Sequence, residues 1–151
     1  MKSNYDTDFY EWTQHQAAAL AAGHFSELDL VNLAEEIESL GKRDRRGLRS
    51  DLKIVLLHLL KWRYQPEMRQ TGHSWENSII EHRDRVQEIL DESPSLRRQV
   101  EALIASAYPI ARRLARNETG LPMPTFPETC PWTPEQILDE DFWPEEANET
   151  D

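Results

Sequence analysis

The chain has 151 residues, a single cysteine (Cys130), 38% hydrophobic residues and a formal net charge of −11. That length suffices for one domain burying about 70% of its unfolded surface, a lone cysteine excludes an internal disulfide and fits a reducing compartment, and the acidic balance is repelled by phosphate backbones, which disfavours general nucleic-acid binding. No apolar run approaches the ~20 residues of a membrane span and the N-terminus lacks the apolar segment of a signal peptide, so the expectation is a cytoplasmic protein without a membrane association.

In chain order, the first helix is predicted to start at Asp6 or Asp8. Asp8 and Glu11 have capping-box-like spacing, and acids suit the positive end of a helix. Phe9, Trp12, Gln16, Ala19 and Leu20 give its stripe, and Gly23 suits the C-terminal cap. The alanines between 17 and 22 predict close approach of a neighbouring backbone.

Ser26 is the predicted N-cap of a second helix running over 26–65, with Phe25 and Leu30 as the two ends of a hydrophobic staple. Pro66 stops it, because the residue before a proline leaves the α region. Apolar residues fall at Leu30, Leu33, Ile37, Leu40, Leu48, Leu52, Val55, Leu59 and Trp62, in steps of threes and fours that mark one helix face. The segment GKRDRRG over 41–47 interrupts the stripe without shifting its phase. Gly41 and Gly47 each cost about 1 kcal/mol against alanine, so the expectation is one long helix, kinked or loosened near 41–47. Its neighbours are expected to dock along the whole stripe.

After a connection over 65–73, a third helix is predicted over 74–91, with Trp75, Ile79, His82, Val86, Ile89 and Leu90 on one face. Ser93 and Pro94 restart the chain as N-cap and first helical residue of a fourth helix. It carries Leu96, Val100, Leu103, Ala107, Ile110 and Leu114, contains Pro109 as a kink and ends near Gly120. Five prolines between 122 and 134 make the next segment an extended strap, tacked down by Phe126, Cys130 and Trp132. Thr133, Pro134 and Gln136 read as a capping box opening a last short helix with Ile137, Leu138, Phe142 and Trp143. The fold class is therefore all-α: a single-domain helical bundle over 1–151, with a core over 5–118, a strap and short helix over 119–144 and an acidic tail over 145–151.

The stretches YDTDFYEWTQHQAAALAAG, LAEEIESLGKRDRR, HLLKWRYQPE, SWENSIIEHR, ESPSL, ETGLP and FPETCPWTPEQILDEDFWP together resemble a bacterial family catalogued as domain of unknown function 29. The resemblance covers about residues 5–144. It implies an all-helical fold and no established activity or catalytic residue. Gly47 departs from the ordinary helix former expected at that position.

Three groups of residues are candidates for function. His58 and His82 fall in the sectors of their helical stripes, Glu36 lies at the flank and His15 shares a face with Glu11. A bundle can build a metal site from such groups, and His with Glu suits Zn, Fe or Mn. The sequence contains no HExxH and no Glu-x-x-His, and the competing reading is hydrogen-bonded histidines at the core margin, so no cofactor is expected under the leading reading. Glu35, Glu36 and Glu38 are neighbours along one helix and cannot form a close dyad; Glu38 stands four residues before Lys42, a surface ion pair.

The basic group is the most distinctive electrostatic feature. Residues 1–41 carry one base and eight acids, whereas 42–64 carry eight bases and two acids. Lys42, Arg46, Arg49 and Lys53 form a stripe on the face away from the apolar one. Cys130 lacks a partner cysteine and reads as a packed thiol. The leading expectation is a non-catalytic interaction or self-associating module whose partner is another protein or a second copy. The alternatives are a metal-dependent enzyme using the histidines and Glu36, and an acidic antagonist of a basic partner.

Overall fold

Five α-helices build the computed structural model, which describes residues 4–69 and 73–145. They are α1 (Phe9–Ala22), α2 (Leu30–Tyr64), α3 (Ser74–Glu92), α4 (Val100–Thr119) and α5 (Pro134–Leu138), joined by short 3-10 turns. No strand occurs among the described residues, so the all-α expectation is met. Residues 70–72 of the predicted connection and 146–151 of the predicted acidic tail lie outside the described residues. The chain divides into two compact units, Met1–Arg43 and Asp44–Asp151, with the boundary inside α2.

In the first unit, α1 starts where the acid spacing placed it. The Asp8 carboxylate accepts the Glu11 amide at 3.0 Å, and Gly23 caps the far end at φ 75°, a conformation glycine adopts without steric cost. Its buried residues are Trp12, Gln16 and Ala19. Trp12 Nε1 donates to the Asp29 carboxylate at 3.0 Å, and the Gln16 side-chain oxygen accepts the Asp29 backbone amide at 2.8 Å. The predicted close approach at the alanine run does not occur: of those alanines only Ala19 is buried.

Helix α2 starts at Leu30 and not at Ser26. Residues Phe25–Glu27 form a separate 3-10 turn and Leu28 is extended. Asp29 takes the capping position, accepting the Asn32 side-chain amide at 2.8 Å and the Asn32 backbone amide at 3.5 Å. The staple is absent as well, because Phe25 and Leu30 are 70% and 69% exposed. From Leu30 the helix runs without interruption to Tyr64. Gly41 and Gly47 both lie within it, and neither has a positive φ.

The second unit contains the large core. Leu48, Leu52, Val55, Leu56, Leu59 and Leu60 are wholly buried. Leu56 and Leu60 lie off the stripe, so the segment 54–60 of α2 buries a wider face than the stripe alone. Around it pack Ile79, Val86 and Leu90 of α3 and Leu103, Ala107, Ala111 and Ala115 of α4. The predicted restart at Ser93 is delayed: Pro94–Gln99 form a 3-10 helix and α4 begins at Val100. Helix α4 continues through Pro109 and ends on Gly120 at φ 73°.

The proline-rich strap closes the core from outside. Phe126 and Ile137 insert as fully buried plugs. Three side chains from the bundle donate to its backbone: Arg112 to the carbonyls of Phe126 and Met123 at 3.0 and 3.2 Å, Tyr108 to that of Pro127, and Arg83 to that of Ile137 at 2.8 Å. The capping box at the start of α5 forms as read, between Thr133 and Gln136.

Candidate functional site

The four metal candidates fall into different units. In the second, His82 Nδ1 pairs with Asp51 at 2.8 Å, tying α3 to α2, and both side chains are nearly buried. His58 Nδ1–H donates to the Ile54 carbonyl at 2.9 Å. Burial first, and the Lys61 charge as well, push His58 below its ordinary pKa, against the opposing pull of that carbonyl. Its imidazole is therefore neutral at neutral pH. Lys61 itself is buried beside Glu118 at 3.7 Å and over the Trp75 ring at 4.9 Å. In the first unit, Glu36 accepts the Tyr5 hydroxyl and His15 pairs with Glu11 at 3.8 Å on the surface. Among the described residues no group of three or more His, Cys, Asp or Glu is arranged to hold a metal ion.

The basic stripe is divided in the same way. Lys42 pairs with Glu38 at 3.3 Å, as the spacing of four predicts. Arg46 is exposed and meets no hydrogen-bond or ion-pair partner among the described residues. Arg49 is half-buried and committed to α4, donating to the Ser106 hydroxyl at 2.6 Å and its carbonyl at 3.1 Å. Lys53 is half-buried. Arg49 and Lys53 therefore do not stand on the fully exposed face expected of them, whereas Arg46 does.

An open groove of about 730 Å³ lies along α3 and the residues after α5. Arg83 and the carboxylates of Glu81, Asp84, Asp139, Glu140 and Asp141 line it. Arg83 is occupied with the α5 carbonyls, and burial lowers its pKa.

The remaining feature is one that the periodicity did not anticipate. The half of the stripe that belongs to the first unit is uncovered: Leu30, Ile37 and Leu40 are 69%, 68% and 55% exposed, and Leu33 is half-buried. Val31, Phe25 and Leu20 are also half or more exposed, and Phe9 nearly so. Exposed apolar side chains in this number are the feature of the first unit that a partner could cover. A signal for it was present in the element lengths. The 35 residues of α2 extend about 52 Å, whereas the 19 and 20 residues of α3 and α4 extend about 30 Å each. Two such neighbours cannot cover the whole rod.

A family model described as Domain of unknown function DUF29 matches residues 4–143. No curated protein and no solved structure matches the chain.

Proposed function

The chain belongs to the domain of unknown function 29 family, and we propose that it is a non-catalytic module that binds another protein or a second copy of itself. The reading places it in the cytoplasm, working without a cofactor and with a surface on which charge is segregated along the chain. The observation that carries it is the uncovered apolar stripe of Leu30, Ile37 and Leu40, set beside a second unit whose own stripe is sealed. Burying such side chains is worth about 1.5–3 kcal/mol each, a driving force that stays unused without a partner. Arg43 and Arg46, exposed on the same helix, supply charge that steers association and selects orientation.

Co-purification and solution mass test this reading when wild type is compared with Ile37→Glu combined with Leu40→Glu. The expected result is loss of a bound protein or of a self-associated mass in the double variant. Reversing Arg46 to Glu is expected to slow association and weaken its salt dependence. If bound proteins and mass are the same for all three chains, the reading fails.

A further inference from the structure

We propose that the occupant of the uncovered stripe is a second copy of this chain, its α2 lying antiparallel to the first. The inference rests on the interaction reading above and names its partner.

The first unit has too little interior to complete itself. Only Trp12, Gln16 and Ala19 of α1 are buried there, and the buried residues of α2 all lie in the second unit. A helical hairpin with one covered face needs a second layer. On its open side Leu30, Ile37 and Leu40 are 69%, 68% and 55% exposed, apolar surface that a second layer would take out of water.

Self-complementarity points to a copy. Leu30, Leu33, Ile37 and Leu40 repeat at steps of three, four and three, the a/d spacing of a helix–helix seam. Reversing one such seam on another sets Leu30 opposite Leu40 and Leu33 opposite Ile37, a closed two-fold arrangement in which every apolar position meets another. Two hairpins joined this way form a four-helix bundle.

Charge selects the orientation. Residues 4–43 contain eight acids and two bases, and the two bases are the last two residues. Parallel pairing would lay acid on acid along the whole length. The antiparallel arrangement instead brings exposed Arg43 of each copy to the end of the seam where the other copy's chain enters α2, and Glu27 is the exposed acid of that entry segment. Glu27 has only a loose contact with His24, at 3.7 Å on the surface.

Sedimentation equilibrium of the full chain is the first test. The expected mass is twice 17.7 kDa, falling to the single-chain value for Ile37→Glu combined with Leu40→Glu, with unchanged far-UV circular dichroism. A charge exchange covers the case in which that variant misfolds. Glu27→Arg and Arg43→Glu are each expected to weaken the dimer about fivefold, and the two together in one chain to restore it. Chain direction is read by disulfide formation on a Cys130→Ser background. A Leu30→Cys chain should cross-link to a Leu40→Cys chain faster than either does to itself.

A single-chain mass at every concentration overturns the proposal, as does a dimer indifferent to Ile37 and Leu40, or faster cross-linking of 30 to 30. A monomer that still captures a different protein through Ile37 and Leu40 overturns the second-copy pairing and leaves the interaction reading intact. A monomer that captures nothing overturns both.

Discussion

Arg83 is 5% exposed, yet it is a cation. It is tolerated because its guanidinium donates to the carbonyls of Ile137 and Gln136 and lies 5.7 Å from the centre of the Trp143 ring. Replacing it by Met keeps much of the packing volume and leaves those carbonyls without a donor. Arg83→Met is expected to lower unfolding free energy by about 2–3 kcal/mol, read from urea denaturation. His58 makes a second prediction at this scale. Its folded pKa lies below the ordinary 6.5, so the unfolded chain binds the proton more readily. The stability that neutral His58 contributes is present above pH 6.5 and is lost as pH falls from there through the depressed folded value. The melting temperature should drop between pH 7 and pH 5, and His58→Gln should flatten that part of the profile. The pairing of His82 with Asp51 was partly legible, since helical phase put His82 in the sector facing the bundle, while the phase by itself named no partner for it. The contact of Tyr5 with Glu36 was not, because residue 5 precedes the first helix and no periodicity governs where it folds back.

Helix α2 passes through Gly41 and Gly47 with ordinary helical backbone. A Cβ at 41 would meet nothing within 4 Å, and one at 47 would meet only the Ile89 Cδ1 atom at 3.9 Å. Neither glycine is therefore required by a turn or by crowding. Gly41→Ala and Gly47→Ala are each expected to stabilise the chain by about 0.5–1 kcal/mol, through helix propensity and the reduced freedom of the unfolded chain. Chemical denaturation measures it, and a loss of stability in both would show that the glycines carry strain. The phase of the stripe across 41–47 made this continuity legible. Periodicity reports which residues share a face, however, and not whether anything covers that face. Leu30 and Leu59 look alike in a helical wheel, yet one is 69% exposed and the other fully buried. Arg49 failed for the converse reason: the wholly buried Leu56 and Leu60 share its sector of the helix, so the face taken as outward is one that the bundle partly covers.

Across the whole molecule, burial is concentrated in Asp44–Asp151, where most of the fully buried apolar side chains lie. Local stability follows buried apolar contacts. Amide hydrogen exchange is expected to be fast over 9–40 and slowest over 48–60, with protection of 30–40 rising as chain concentration rises if a second copy covers it. Uniform protection along α2 at low concentration would contradict this account. Composition and charge foretold the division only coarsely. They separated an acidic start from a basic middle, but where one unit ends depends on how far α3 and α4 reach, which is a matter of packing.

The strap has a consequence of its own. Arg112, Arg83 and Tyr108 grip main-chain oxygens of Met123, Phe126, Pro127, Gln136 and Ile137, and every residue type offers that oxygen alike. Spelling is thus nearly free at Met123 beyond the needs of local shape, whereas Gln136 also closes the capping box with its side chain and the three grippers are fixed. A saturation library should recover many letters at Met123 and few at Arg83 and Arg112, so that the latch tolerates drift in its tongue and none in its catch.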